Sequence, residues 1–163
     1  MNSLNKYFPI SKKIPIDEFI SNALYDKDYG YYSKKIPFGK NGDFITSPGI
    51  SALFSEVLAL WIVAFWEHLE KPKVFNIVEL GPGNGQMCST FIKVFKKFPN
   101  FLNSVNIFLY EKSEILKDLQ KKNLGHEKIS WIKNFHTLKK GPVIFLGNEF
   151  FDAVPIKQFK KID

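Results

Sequence analysis

Three observations predict an α/β chain built on a parallel sheet flanked by helices. From residue 74 onward, short apolar runs rich in β-branched and aromatic residues alternate with helical stretches, the rhythm of parallel strands joined by helical crossovers. The first of those runs breaks into three closely spaced glycines, Gly81, Gly83 and Gly85, directly before a helix, as a nucleotide-type cofactor cradle does. Glu111, Asn134 and the run Asn148-Glu149-Phe150-Phe151-Asp152 then fall at the carboxyl ends of the predicted strands, the rim where open α/β sheets bind ligands. Together these describe a Rossmann-like sheet domain over residues 73–163, preceded by a helical and aromatic-loop extension over residues 1–72.

Element by element, Pro15 opens a helix whose Ile16, Phe19, Ile20, Ala23 and Leu24 recur at one-face spacing, so it must dock on something. Residues 25–44 read as a long loop, with Gly30, Gly39 and Gly42 marking turns. Ser47-Pro48 offers a cap and a first-turn proline for a helix to about Leu69 that is apolar nearly all round, hence internal, and Pro72 ends it. Strands are predicted over 74–80, 105–110, 128–132 and 143–146, with helices over 86–98 and 113–124 and Gly125 as a C-cap. A doubly wound sheet usually continues past a fourth strand. The sheet is therefore expected to be incomplete, with a bare edge after residue 146.

Composition limits what such a chain does. Its 163 residues suit one domain with a real core, and a 45% hydrophobic content argues against disorder. The net charge of +7 invites a nucleic-acid reading, but all 23 basic residues are lysine. Without arginine the bidentate contacts that read guanine and phosphate are missing, and the scattered lysines suit a solvated face, so no nucleic-acid partner is expected. One cysteine, Cys88, excludes an internal disulfide and suits a reducing compartment, and packing is its expected role. His68, His126 and His136 lack ligand spacing, so no metal is expected. The N-terminus has no apolar signal core, and the longest apolar run, residues 57–66, is well short of the ~20 residues of a membrane span. A cytoplasmic location without membrane insertion follows as the expectation.

The glycine loop carries the cofactor reading. A dinucleotide fingerprint is G-x-G-x-x-G with an acid about 20 residues on. Here the spacing is G-x-G-x-G with Pro82 inside it, and Glu111 follows nearly thirty residues later. That loop brings backbone close to a ligand without an obvious anion nest, which suits S-adenosyl-L-methionine, a cofactor with no phosphate. Glu79 is placed to meet the positive amino group of the methionine end, and Glu111, closing the next strand, to accept the ribose hydroxyls. Asn134 joins the same rim. A bare strand-to-helix turn is the plain alternative for the glycines.

Methyl transfer from a sulfonium is an in-line displacement, and the protein's part is to hold donor and acceptor in attack geometry without water. An amine or guanidinium acceptor must shed a proton, which calls for carboxylates or carbonyls nearby. Asn148, Glu149 and Asp152 supply them, and two carboxylates could clamp an arginine's planar fork. Equally, Asp152 could cap a helix and Glu149 could be solvated. Tyr29-Gly30-Tyr31-Tyr32 and Gly42-Asp43-Phe44-Ile45-Thr46-Ser47-Pro48 suit either an aromatic lid over a cofactor or core packing.

These segments, with Ala23-Leu24-Tyr25, Val78-Glu79-Leu80-Gly81-Pro82-Gly83 and Asn148-Glu149-Phe150-Phe151-Asp152-Ala153-Val154-Pro155, follow in the order seen in the MidA-like S-adenosylmethionine-dependent methyltransferases, which the chain resembles from about Pro9 to Phe159. The resemblance implies a seven-stranded class I methyltransferase fold and a link to assembly of respiratory complex I, where mitochondrial members methylate an arginine on a core subunit. It further implies a mitochondrial-matrix location if the chain is eukaryotic. By matching position it makes Gly81, Gly83 and Gly85 the cofactor loop, Glu111 the ribose acceptor, and Asn148 and Glu149 the floor of the acceptor pocket. The chain departs from the family pattern at Asn84 and Gln86, where an arginine and then a small or hydroxyl residue are usual, and at Gly49, where glutamate is usual. The family chain also runs on well past residue 163. A methyltransferase acting on protein arginine is thus the leading expectation, against a non-catalytic remnant or assembly factor that keeps the fold and, more remotely, a dinucleotide oxidoreductase.

Overall fold

The computed structural model describes residues 13–34, 43, 51–125 and 128–161. The chain divides into two compact units, Pro37–Asn148 and Met1–Ile36 with Glu149–Asp163.

In the larger unit, helix α3 (Ala52–His68) is followed by strand β1 (Phe75–Leu80), α4 (Gln86–Phe95), α5 (Pro99–Ser104), β2 (Val105–Tyr110), α6 (Glu114–Leu124), β3 (Ile129–Ile132) and β4 (Val143–Leu146). The four strands form one sheet in the order β3-β2-β1-β4, and every pairing is parallel. All six residues of β1 are buried, as a central strand covered on both faces requires. Register sets Leu80 beside Tyr110 and Tyr110 beside Ile132, so the carboxyl ends of β1, β2 and β3 lie level. β4 has β1 on one side and no strand of the described residues on the other.

The core lies between the sheet and α3, α4 and α5. Phe75 and Ile77 of β1 and Ile107 and Leu109 of β2 meet Ile62 and Trp66 of α3 and Phe91 and Phe95 of α4. Cys88 is fully buried in this cluster, in keeping with a packing role. Phe101 of α5 is also fully buried, with its ring edge-to-face on Trp66, Phe75 and Phe95.

Three expectations need correction here. Helix α3 is not internal all round: Ser55, Ala59, Ile62, Val63 and Trp66 are buried, whereas Leu53, Phe54, Val57, Leu60 and Trp61 are exposed. A cylinder packed against a single layer can bury only one stripe, whatever its composition. Its cap is Ser51, whose hydroxyl accepts from the Leu53 N–H, and it ends at His68; Ser47-Pro48 lie outside the described residues, as do Gly39, Gly42 and Gly49. The helix predicted over 86–98 stops at Phe95 and a second one, α5, begins at Pro99. Proline at a first helical position needs no N–H partner, so the chain turns through residues 96–98 and restarts there, which carries Phe101 into the core.

In the smaller unit, helix α1 (Ile16–Tyr25) precedes a short helix α2 (Tyr31–Lys34), a turn of helix inside the segment predicted as loop. Tyr25 stacks on Tyr32, and the Tyr25 hydroxyl donates to the carbonyl of Ala153 at 2.7 Å. These tyrosines therefore pack within their own unit. Gly30 is buried here, and a Cβ on it would come within 2.5 Å of the Asp26 backbone, which is why this turn takes glycine.

Candidate cofactor site

Strand β1 ends at Leu80 and the chain turns sharply into α4. All three loop glycines have left-handed backbone, φ 63° at Gly81, 56° at Gly83 and 79° at Gly85, conformations that strain any residue with a Cβ. The Gly81 N–H donates to the Tyr110 carbonyl at 3.0 Å, extending the β1–β2 ladder one step past the strand, and the Gly85 N–H donates to the Pro82 carbonyl at 2.8 Å, closing the turn. Asn84 steadies the next step, its Oδ1 accepting from the Gln86 N–H at 3.1 Å and its carbonyl from Asn123 Nδ2 at 2.9 Å. Gly85 also answers a packing demand, since a Cβ there would meet Leu124 Cδ1 at 3.2 Å. Gly85→Ala is expected to cost about 1–2 kcal/mol of stability from backbone strain alone, read as a lower urea midpoint at unchanged slope.

Glu111 follows β2 directly. Its Oε1 accepts from the backbone N–H of Lys112 at 2.8 Å and of Ser113 at 2.9 Å, and its Oε2 from Gln120 Nε2 at 3.3 Å. Burial pushes its carboxyl up from the usual range, while the Ser113 and Lys112 N–H groups, the Gln120 amide and the nearby Lys117 ammonium pull it back down. A carboxylate has about four acceptor positions, so one remains open on Oε2.

Gln120 was not among the sequence candidates, yet it ties these parts together. Fully buried on α6, it donates from Nε2 to the Gly83 carbonyl at 2.9 Å as well as to Glu111, and its Oε1 accepts from Trp131 Nε1 at 2.8 Å. One signal could have found it: Leu116, Gln120 and Leu124 share the buried stripe of α6, and an amide in such a stripe must find partners.

Glu79 lies on the same face of β1 as Phe75 and Ile77, between Leu109 of β2 and Leu146 of β4 in register. It is 3% exposed, its Oε2 has no hydrogen-bond partner among the described residues, and burial pushes its carboxyl up to about 8. An orphaned buried acid is costly and calls for a partner. A cationic group would supply it.

Among the other predicted residues, Asn134 follows β3 by two positions and uses its Oδ1 to cap the 3-10 turn Phe135–Thr137, accepting from the His136 N–H at 3.1 Å. Beside it the rings of Tyr110, Phe135 and Phe145 form a continuous tier, with centroids 5.3 and 5.2 Å apart. Asn148 follows β4 by two positions in the same unit. Glu149 and Asp152 belong to the smaller unit: Glu149 is exposed and has a left-handed φ of 53°, and Asp152 is exposed in the 3-10 turn Phe151–Ala153. The structure thus brings together Gly81, Gly83, Gly85 and Glu111 through Gln120, with Glu79 buried at the end of the same central strand. Among the described residues no group of three or more His, Cys, Asp or Glu side chains could hold a metal ion.

Residues 57–163 match the model of the family described as "Putative S-adenosyl-L-methionine-dependent methyltransferase". The chain belongs to this methyltransferase family. It is 32% identical over 91% of its length to the human protein named "Protein arginine methyltransferase NDUFAF7, mitochondrial" and 33% identical over 92% to the Danio rerio protein of that name. It spans 39% and 41% of those relatives. The crystal structure of a COG1565 superfamily member from Burkholderia thailandensis bound to S-adenosyl-homocysteine superposes with a TM-score of 0.73 at 23% identity, over 92% of this chain and 40% of that one. The fold is accordingly that of the family's methyltransferases.

The family's cofactor fits the residues present. The glycine loop offers bare left-handed backbone, Glu111 keeps an open acceptor position for a ribose hydroxyl, and Glu79 Oε2 lacks the partner that an ammonium would provide.

Proposed function

We propose that this chain binds S-adenosyl-L-methionine and serves methyl transfer to a protein arginine. The observation that carries this reading is the link, through one buried amide, between the glycine loop after β1 and the acid after β2. Family membership and relatives named as protein arginine methyltransferases support it. The cofactor supplies an electrophilic methyl group. Gly81 and Gly83 let the backbone approach it, Glu111 Oε2 accepts a ribose hydroxyl, and Glu79, ionised on binding, pairs with the amino group. Gly85 serves by keeping α4 close to α6, and Asn134 by shaping the rim beyond β3.

On the acceptor side, Asn148 of the larger unit is the polar group we assign to the guanidinium, and Glu149 and Asp152 are proposed from the sequence alone as the carboxylates that could take its proton. A subunit of respiratory complex I is the acceptor protein implied by the resemblance, and the mitochondrial matrix of a eukaryote, or the cytoplasm otherwise, the matching compartment. No helix among the described residues is long and apolar enough to cross a membrane.

Titration calorimetry tests the cofactor reading. S-adenosyl-homocysteine is expected to bind and NADH not to, and the reverse would return the chain to the dinucleotide class. Glu111→Ala should weaken S-adenosyl-homocysteine by about 1–3 kcal/mol, the cost of a lost hydrogen bond to a charged acceptor, and unchanged affinity would remove its ribose role. Incorporation of labelled methyl into candidate acceptor proteins separates an enzyme from a fold that only binds cofactor and partner.

A further inference from the structure

We propose that Gln120 is a positioning residue that sets the ribose selectivity of the cofactor site, with Trp131 holding its amide in the working orientation; this rests on the cofactor reading above. An indole N–H can only donate, so the 2.8 Å contact from Trp131 Nε1 fixes the amide oxygen toward β3 and the amide nitrogen toward the glycine loop. Both donors of that nitrogen are then committed, one to the Gly83 carbonyl at 2.9 Å and one to Glu111 Oε2 at 3.3 Å. With the Trp131 contact, every polar atom of a fully buried side chain has a partner. Such a network has little freedom to rearrange.

The two groups that receive its protons are also the two that flank the cofactor in the proposed reading. Glu111 Oε1 is held by the Lys112 and Ser113 N–H groups and Oε2 by the Gln120 amide, so the plane of the carboxylate is fixed at both of its oxygens. Gln120 occupies one side of Oε2 and leaves the other for a hydroxyl. A buried glutamine serving only to fill space would not need to place its donors on these two acceptors. Without the amide the carboxylate is held at one oxygen only and its plane can pivot about it, and the site then loses its preference for a ribose that carries hydroxyls.

The test is calorimetry on the full chain with two ligands, S-adenosyl-homocysteine and its 2′,3′-dideoxyribose counterpart. The natural chain should favour the first by about tenfold or more, the scale of a hydrogen bond to a charged acceptor. Gln120→Met, unbranched and of similar size, should cut that preference by about five-fold or more, with the larger loss of affinity falling on S-adenosyl-homocysteine. Trp131→Phe keeps the ring and removes the N–H, so it should shift the preference the same way by a smaller factor; it decides the matter alone if Gln120→Met does not fold. Equal loss for both ligands would overturn the proposal and leave Gln120 a packing residue. If the natural chain binds neither ligand, the cofactor reading fails and this proposal with it; an unchanged preference in both variants overturns this proposal alone.

Discussion

Truncating Phe101 to alanine is expected to destabilise the larger unit by about 3–5 kcal/mol, the range for removing a fully buried ring from a core that cannot collapse around the gap. Three aromatic neighbours touch this ring edge-to-face, at centroid distances of 5.3 Å to Trp66, 5.9 Å to Phe75 and 4.8 Å to Phe95. They come from a helix, a strand and a second helix, so none can follow the missing side chain without moving its own element. A loss of that size is a large part of the stability of an ordinary domain. The adjacent Leu102, 38% exposed on the same short helix, provides the contrast: Leu102→Ala should cost about 1 kcal/mol. Urea unfolding of the two variants distinguishes them, and comparable midpoints would show that α5 does not anchor the core.

S-adenosyl-homocysteine affinity is expected to rise with pH between about 6 and 8, and protein stability to fall over the same range. Both follow from Glu79. Its carboxyl is pushed up to about 8 by burial from an ordinary value of 4.5, so the ligand-free fold holds a proton there that the unfolded chain has already released. Stability linked to this group is fully present below about 4.5 and is lost as pH rises through about 8, because the fold must then carry an unpaired buried charge. A bound ammonium reverses the preference by pairing with the ionised form, so binding near pH 7 expels the proton and grows tighter as pH approaches 8. Calorimetry in buffers of different ionisation enthalpy should detect close to one proton released per ligand near neutral pH. Glu79→Gln should abolish that release, flatten both pH profiles and weaken binding most at pH 8. Binding without proton release would place the amino group elsewhere.

Much of the fold was legible because its signals are local. The strands at 105–110 and 143–146 were predicted to the residue, and the first differed only by Val74. Ser113 caps α6 and Gly125 ends it with a φ of 63°, since capping and left-handed termini depend on side chains a few positions away. The one-sided burial of α3, the break before α5 and the part played by Gln120 were not legible. Each depends on what lies opposite: how many layers cover a helix, where a ring finds a cavity, which backbone carbonyl an amide meets. The aromatic motif around Tyr31 and Tyr32 was ambiguous for the same reason, and within the smaller unit its rings contact each other and Tyr25.

Alone, the chain's order of residues determined the alternation of strand and helix, the three left-handed glycines at the first crossover and the acids at the strand ends. These are consequences of side-chain period and of which backbone angles a residue without a Cβ can hold. The tertiary structure decided which of those polar groups meet. Gly83 and Gln120 are 37 positions apart, and only the parallel pairing of β1 with β2, which sets their carboxyl ends level, brings a loop carbonyl and an acid within reach of one amide on α6. A period of two or of 3.6 cannot encode a contact across that distance, because it depends on the packing of three elements at once.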